Sequence, residues 1–395
     1  MSKYLSFYGG ERAIAIIKEH GLSQDIVKVV AGAAGGPKWL ILGAMDRFLF
    51  SEWFTKRAYK LSDKSSSEST VGKKSDKKTP APLFLLGSSA GAWRFAAVSH
   101  NSPSKALEKF AEAYINQWYS IKPDLAEIDI ECQKVLNSFI DDNSVNEVLS
   151  HPYCRLNFFS VRSRGFAENN NPLILASYIA AAAAANLIDR KNMRHFFTRT
   201  LFYHPSEKSP FYDMDNVRDK NHFPMLKVSL TPKNFKKALT SSGSIPLVMP
   251  GVTGIDQAPQ GVYRDGGTID YHLDIPFLGN SYNYDNKDKI VLFPHYTDRI
   301  IPGWLDKKVS WRKPNRDNFK NVLLITPNKA FTDMLPGGKI PERQDFTVLK
   351  GKNRERIQRW KIALKYSEIL GDELCSFVYS GKAEEIIQPV EKIIC

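Results

Sequence analysis

Residues 84–95 read FLLGSSAGAWRF and place two serines between two glycines, directly after a run of apolar residues. The apolar run is typical of a buried strand and the residues after the turn are typical of a helix. Gly87, Ser89 and Gly91 fit the pattern GxSxG, in which a tight turn lifts the central side chain clear of the sheet. Ser89 is therefore a candidate nucleophile and Ser88 the small residue beside it, while a plain glycine turn is the alternative.

The elements around this turn predict an α/β fold. Strand-like segments cover residues 25–32, 83–86, 155–163, 223–230, 289–295 and 321–326, and helix-like segments cover residues 37–54, 90–100, 104–119, 124–140 and 354–374. Strands that alternate with helices predict a layered fold with a mostly parallel sheet. Residues 172–188 carry no charge, but the run is short and rich in alanine, which favours a buried helix over a membrane span.

The composition restricts the class of protein. The chain has 395 residues, of which 43% are hydrophobic and 12% aromatic, as expected for a globular protein with a large core. The four cysteines lie far apart, which argues against a zinc site or a disulfide scaffold and favours a reducing compartment. The N-terminal residues show no signal peptide, so we expect a cytoplasmic protein. Residues 61–82 are almost devoid of apolar side chains and predict a disordered insertion.

The net charge of +13 indicates an anionic partner, such as nucleic acid, a lipid surface or a phosphorylated substrate. No zinc finger, RNA-binding signature or heptad repeat supports nucleic acid, so we expect no such partner. The charge is compatible with peripheral contact with an anionic membrane surface. A role in solubility alone is the alternative.

A second glycine-rich turn precedes the serine. Residues 31–39 read AGAAGGPKW and lie between a predicted strand and a predicted helix, so their backbone N–H groups are expected to be exposed. Such a turn can bind phosphate, but this one lacks the spacing of GxGxxG and of GxxxxGK[ST]. Its other use is as an oxyanion hole beside a nucleophilic serine, to which the amide of Ala90 at a helix N-terminus would also contribute. A purely structural turn is the alternative.

A third segment supplies a candidate base. Residues 263–268 read YRDGGT and place Asp265 at the end of a predicted strand, before two glycines. A carboxylate can accept the proton of a serine if desolvation raises its pKa towards neutrality. Taken alone, the Asp-Gly-Gly motif is more often a turn.

Together these segments resemble the patatin-like phospholipase family. That family pairs a GxSxG serine with the aspartate of a DG[GA] motif and has an upstream GGx[KR] loop, matched here by Gly35, Gly36 and Lys38. Residues 238–246, ALTSSGSIP, are similar to the ASxAxP segment that precedes the aspartate in the family. The motifs follow the family order and span about residues 25–275.

The resemblance implies a single domain over residues 1–395, with a three-layer patatin-like α/β fold. It implies a Ser89–Asp265 dyad that hydrolyses ester bonds of phospholipids or related lipids through an acyl-enzyme. The amides of Gly35 and Gly36 would form the oxyanion hole with Ala90, and Lys38 would contact a phosphate head group of the substrate. Neither a metal nor an organic cofactor is implied.

The sequence departs from the family in the glycine loop. The family usually begins this loop with Asp-Gly-Gly-Gly and places glycine after the basic residue, whereas this chain has Ala33, Ala34 and Trp39 at those places. A membrane-binding module that kept the fold without catalysis is therefore one alternative. The other is an α/β-hydrolase triad, because His272 and His295 follow Asp265 in the order Ser, Asp, His.

Overall fold

A computed structural model describes residues 2–56, 81–168, 171–216, 223–279 and 286–394 of the chain. Most of the insertion predicted at residues 61–82 lies outside the described residues. The strands are β1 Leu5–Gly9, β2 Val27–Gly32, β3 Leu83–Ser88, β4 Cys154–Ser163, β5 Phe197–Tyr203, β6 Met225–Ser229, β7 Tyr263–Asp265, β8 Ile290–Pro294, β9 Val322–Pro327 and β10 Gln388–Pro389.

These strands form one mixed sheet in the order β10-β1-β9-β8-β2-β3-β4-β5-β6, with β7 paired to β4 beside this path. The pairs β1–β9, β4–β5 and β4–β7 are antiparallel, and the other pairs formed by the named strands are parallel. The central strand β3 is buried along its whole length. The α/β class and the mostly parallel central sheet predicted from the sequence are thus confirmed.

Helices flank the sheet. Those of eight or more residues are α1 Glu11–His20, α2 Ala90–Val98, α3 Pro103–Ile115, α4 Leu125–Phe139, α5 Asp142–Leu149, α6 Pro172–Ile188, α7 Phe235–Gly243 and α8 Asn353–Tyr379. Shorter α-helices cover Gly43–Phe48, Lys329–Thr332, Asp345–Val348, Ala383–Ile386 and Glu391–Ile394. The six predicted strands and the predicted helices at 90–100, 104–119, 124–140 and 354–374 each correspond to an observed element.

The single helix predicted over residues 37–54 is divided into three parts. A 3₁₀ helix covers Gly36–Leu42, an α-helix Gly43–Phe48 and a π-helical turn Leu49–Trp53. Asp46 in the α-helical part is fully buried. Both of its carboxylate oxygens accept hydrogen bonds of 2.7 Å from the guanidinium of Arg94 on α2. This buried ion pair connects α2 to the short helix Gly43–Phe48.

Helix α6 begins and ends where the sequence predicts, but the prediction that it is buried is wrong. Its buried residues are Leu175, Ile179, Ala182 and Asn186, which share one face, whereas the opposite face is open. Side chains on that open face include Leu173, 79% exposed, and Ile188, 85% exposed. The absence of charged residues indicated that residues 172–188 are apolar. It could not show that the rest of the protein covers only one face of the helix. No helix among the described residues has the length and hydropathy needed to cross a membrane.

The sheet brings the three sequence motifs to one place. Parallel strands β2 and β3 pair Gly32 with Gly87, so the loops that follow them emerge side by side at the same edge. Strand β4 lies next to β3, and its antiparallel pairing with β7 sets Ser160 opposite Asp265. Asp265 is thereby carried to the turn that holds Ser89.

Candidate active site

Ser89 occupies a strained turn between β3 and α2. Its backbone angles, φ 53° and ψ −122°, lie in a region that residues with a side chain rarely adopt. The helix crosses the sheet very closely here: a Cβ on Gly91 would lie 2.0 Å from the carbonyl oxygen of Gly32, and one on Gly87 would lie 2.4 Å from the amide nitrogen of Ala92. Both glycines of the motif are therefore required by the close contact between strand and helix.

Ser89 and Asp265 are directly hydrogen-bonded. Ser89 Oγ donates to Asp265 Oδ2 over 2.6 Å, and the amide of Gly267 donates to Asp265 Oδ1, also over 2.6 Å. Both residues are 6% exposed. One carboxylate oxygen is thus oriented by the backbone while the other faces the serine hydroxyl.

Burial makes the Asp265 carboxylate a stronger base. Desolvation raises the pKa of Asp265 to about 6, although the hydrogen bonds from Ser89 and Gly267 act in the opposite direction. A carboxylate with a pKa near neutrality is ionised at neutral pH and accepts a proton more readily than an exposed one.

The segment at residues 238–246 holds both members of the pair. Ser242 Oγ accepts a 3.0 Å hydrogen bond from the amide of Ser89 and donates over 2.6 Å to the carbonyl of Phe159. The carbonyl of Ser244 accepts a 2.9 Å hydrogen bond from the amide of Asp265. Sequence analysis selected this segment through the family resemblance. It did not predict which residues the segment contacts.

Two of the three predicted oxyanion donors, Gly36 and Ala90, line the cavity at Ser89. Ala90 is the first residue of α2, so its amide is one of those left without a partner at a helix N-terminus. Gly36, which has φ +55°, and Ala90 line the same cavity as Ser89. Gly35 lies behind Gly36, where a Cβ would be 2.5 Å from the ring of Tyr296. Within the described ranges, no hydrogen bond occupies the amides of Gly35, Gly36 or Ala90.

Two tyrosines hold the glycine loop. The hydroxyl of Tyr296 donates to the carbonyl of Ala34 over 2.6 Å, and the carbonyl of Tyr271 accepts from the amide of Ala34 over 2.9 Å. Since a carbonyl only accepts, the Tyr296 hydroxyl must in turn accept from His272 Nε2, which is 2.7 Å away. The amide of Ile301 lies 3.0 Å and the carbonyl of Arg299 3.1 Å from Nδ1 of the same ring. Burial lowers the pKa of His272 well below its usual range, so the ring is neutral.

Neither candidate histidine contacts the serine–aspartate pair. His272 supports Tyr296, and His295 Nδ1 lies 2.6 Å from the carbonyl of Thr297. Both rings are fully buried, and desolvation lowers the pKa of His295 to about 3 and that of His272 well below its usual range. The hydroxyl of Ser89 is directed at Asp265 instead.

A cavity of about 520 Å³ opens at Ser89. Its wall consists largely of apolar side chains from α2, α3, α4 and the loop after α7, which include Trp93, Phe110, Val135, Ile245, Val248 and Met249. A cavity of this size and character suits an apolar chain that ends in a polar reacting group.

Three of the cations in and around this region are Lys38, Lys307 and Arg343. Lys38 Nζ lies 5.0 Å from the centroid of the Tyr296 ring, and Lys307 Nζ lies 4.2 Å from that of Tyr271. Arg343 lines the cavity together with Ser89. Sequence analysis selected Lys38 through the resemblance but missed the other two, because no motif surrounds them.

No group of three or more histidine, cysteine or acidic side chains with metal-binding geometry occurs among the residues that the structure describes. Comparison of the chain with known protein families, with curated proteins and with solved structures gave no match.

Proposed function

We propose that the protein is a lipid acyl hydrolase of the phospholipase A type, which cleaves ester bonds of phospholipids or related lipids. The observation that carries the proposal is the 2.6 Å hydrogen bond from Ser89 Oγ to a buried Asp265, at the wall of a mostly apolar cavity. The cavity receives the acyl chain and presents its ester carbonyl to the serine.

The first half-reaction forms an acyl-enzyme. Ser89 Oγ attacks the ester carbonyl carbon while its proton passes to Asp265 Oδ2, and the amides of Ala90 and Gly36 stabilise the negative charge that develops on the carbonyl oxygen. When the tetrahedral intermediate collapses, the bond to the alcohol oxygen breaks and the alcohol takes the proton from Asp265.

The second half-reaction restores the enzyme. Asp265 accepts a proton from a water molecule that attacks the acyl-enzyme, and the same amides bind the second oxyanion. The bond between the acyl group and Ser89 breaks, the serine regains its proton and the fatty acid leaves.

A patatin-like fold is part of this proposal. Its support is the family order of the four motifs, together with the contact that each makes at the site: the serine with the aspartate, the glycine loop beside both, and residues 238–246 on the backbone of both. A cytoplasmic location is also proposed, supported by the free thiols of Cys132, Cys154 and Cys375.

Covalent labelling tests the proposal. Ser89→Ala should abolish reaction with a fluorophosphonate probe and lower hydrolysis of a soluble short-chain ester by about 10³-fold or more. Ser88→Ala is the matched control, since Ser88 is fully buried and its hydroxyl has no partner in the described part of the chain. The control should keep most of the labelling and turnover.

Two results would contradict the proposal. One is labelling of Ser89→Ala at the level of the native chain. The other is a purified native protein that neither reacts with the probe nor hydrolyses any ester.

A further inference from the structure

Tyr114 of α3 brings a hydroxyl group to the glycine loop. It lines the cavity together with Ser89, Ala90 and Gly36. Its hydroxyl oxygen lies 3.7 Å from the position that a Cβ on Gly36 would occupy. The phenol is therefore next to one of the two backbone amides that we assign to the oxyanion.

Three aromatic rings hold the Tyr114 ring in this position. Trp39 and Phe110 each contact it edge-on with ring centroids 5.7 Å apart, and Trp360 stacks on it at 6.0 Å. Trp39 belongs to the 3₁₀ helix that begins at Gly36, so one short element positions both the loop and the tyrosine. The patatin-like family, which the sequence resembles, usually has glycine at the place of Trp39, and a glycine could not make this contact.

The Tyr114 hydroxyl makes no hydrogen bond within the described ranges. The 2.7 Å hydrogen bond from Gln117 Nε2 goes to the backbone carbonyl of Tyr114 instead. Burial raises the pKa of the phenol well above its ordinary value, so the group stays protonated and can donate at neutral pH. A donor without a partner at the wall of a mostly apolar cavity costs free energy, which an acceptor on the substrate removes.

The surroundings of Arg343 place Tyr114 on the same side of the cavity as the catalytic pair. Arg343 lines the cavity with an exposed side chain. Desolvation lowers its pKa, and Asp265, Tyr114 and Tyr271 act in the opposite direction, with Asp265 the strongest of the three. One guanidinium group therefore faces both the aspartate and the tyrosine.

We propose that Tyr114 is a further catalytic residue, whose hydroxyl donates a hydrogen bond to the carbonyl oxygen of the ester as Ser89 attacks. The inference rests on the proposed hydrolase function and adds a side-chain donor to the amides of Gly36 and Ala90. Because the phenol lies beside Gly36, it reaches the carbonyl oxygen that this amide binds and not the alcohol oxygen.

The phenol keeps its proton throughout the reaction. The carbonyl electron pair moves onto oxygen as the bond from Ser89 Oγ forms, and the oxyanion accepts the hydrogen bond from Tyr114. The pair returns to form the carbonyl again when the bond to the alcohol oxygen breaks. The same donor serves the second oxyanion when water attacks the acyl-enzyme.

Tyr114→Phe tests the role of the hydroxyl, because it keeps the ring and its aromatic contacts. For p-nitrophenyl butyrate, we expect kcat to fall by about 10²-fold and KM to change by less than about twofold, since an oxyanion donor acts mainly in the transition state. A trifluoromethyl ketone with a butyl chain, which forms an oxyanion on the serine, should lose affinity by a similar factor. Loss of packing alone would not separate KM from these two constants.

Tyr203→Phe is the matched control. Tyr203 ends β5, packs edge-on against Tyr212 and does not line the cavity, so its variant should keep the native kcat, KM and inhibitor affinity. Melting temperatures verify that both variants fold.

A second substrate identifies the oxygen that receives the hydrogen bond. Ethyl butyrate has the same acyl group as p-nitrophenyl butyrate but a much poorer leaving group. A donor to the oxyanion predicts a similar loss of kcat for both esters in Tyr114→Phe. A much larger loss for ethyl butyrate would show that the hydroxyl assists the leaving alcohol and would overturn the assignment.

The outcomes separate this inference from the hydrolase function. A folded Tyr114→Phe protein with native kcat, or with a change in KM alone, would overturn the role of Tyr114 while the native chain still hydrolysed esters. If the native chain hydrolysed neither ester, the function would fall and the inference with it.

Discussion

At the scale of single residues, the proposed reaction gives Asp265 two tasks that a catalytic triad divides between two side chains. Its Oδ1 is oriented by the amide of Gly267, and its Oδ2 accepts the proton of Ser89. A carboxylate is a weaker base than imidazole, so in the proposed reaction most of the lowering of the barrier is assigned to the amides that would stabilise the oxyanion. Burial reduces the difference in basicity between this carboxylate and an imidazole, because it raises the pKa of Asp265 to about 6.

This assignment predicts the pH dependence of the reaction. Asp265 accepts a proton only in its ionised form, so kcat/KM for a neutral soluble ester should rise with pH and level off above an apparent pKa of about 6. Asp265→Asn should remain folded and lose about 10³-fold or more in kcat. A neutral ester without titratable groups serves as the control substrate. A profile that is flat between about pH 5 and pH 8 would contradict the assignment.

The residues that sequence analysis found are those marked by neighbours in the chain. Ser89 and Asp265 were recognisable because glycines at fixed positions next to them accommodate close backbone contacts. Ser242 and Tyr296 contact partners far away in the sequence, as in the hydrogen bond of Tyr296 to Ala34, and no local sequence pattern predicts such a contact.

At the scale of the elements, the glycine loop depends on a chain of hydrogen bonds from the segments after β7 and β8. Tyr296 takes a hydrogen bond from His272 and passes one to Ala34, while its ring fills the space behind Gly35. This support comes from outside the loop, at the place where the sequence departs from the Asp-Gly-Gly-Gly start of the family it resembles. The loop amides are therefore positioned by Tyr296 as well as by their own sequence.

Tyr296→Phe should separate positioning from packing. The substitution keeps the ring but removes the bond to Ala34 and leaves His272 Nε2 without an acceptor. We expect kcat for a soluble ester to fall by about tenfold, with KM changed by less than about twofold, because the oxyanion is bound mainly in the transition state.

Tyr379→Phe is the control for this substitution, since it removes a tyrosine hydroxyl that bonds Lys56 at the surface and should leave both constants unchanged. A Tyr296→Phe protein with native kcat would show that the loop holds its geometry unaided.

Strands and helices were predictable where burial follows from a local pattern. The buried strands β2, β3, β8 and β9 are mostly apolar, with Lys28 as the one charged residue in them, and their positions agree with the sequence. Strand β1, with its alternating LSFYG, was not predicted because its partners β9 and β10 lie at the other end of the sequence. Whether α6 is covered depends likewise on tertiary neighbours.

At the scale of the whole molecule, the excess of positive charge predicts that the protein binds anionic lipid surfaces in a salt-dependent way. Binding to anionic vesicles should weaken as salt rises, because the Debye length falls from about 10 Å at 0.1 M to about 3 Å at 1 M. Lysines near an anionic surface contribute on the order of 1 kcal/mol each, so a few suffice for measurable binding.

Vesicle sedimentation at low and high salt measures this effect, with zwitterionic vesicles and hydrolysis of a soluble neutral ester as controls that should change little. Equal binding to anionic and zwitterionic vesicles at every salt concentration would contradict this prediction. It would show that the positive charge affects solubility alone.

The strand order also has a consequence for biosynthesis. Among the described strands, β1 pairs only with β9 and β10, and β9 leaves the ribosome about 300 residues after it. At about 5–20 residues per second, Leu5 and Phe7, both buried in the final sheet, wait for tens of seconds without a partner. The pairs β2–β3 and β3–β4 join strands much closer in sequence and can assemble earlier. The Ser89 turn is therefore built near the centre of a sheet of which one edge is completed last, and we expect β1 of the nascent chain to stay exposed in the meantime.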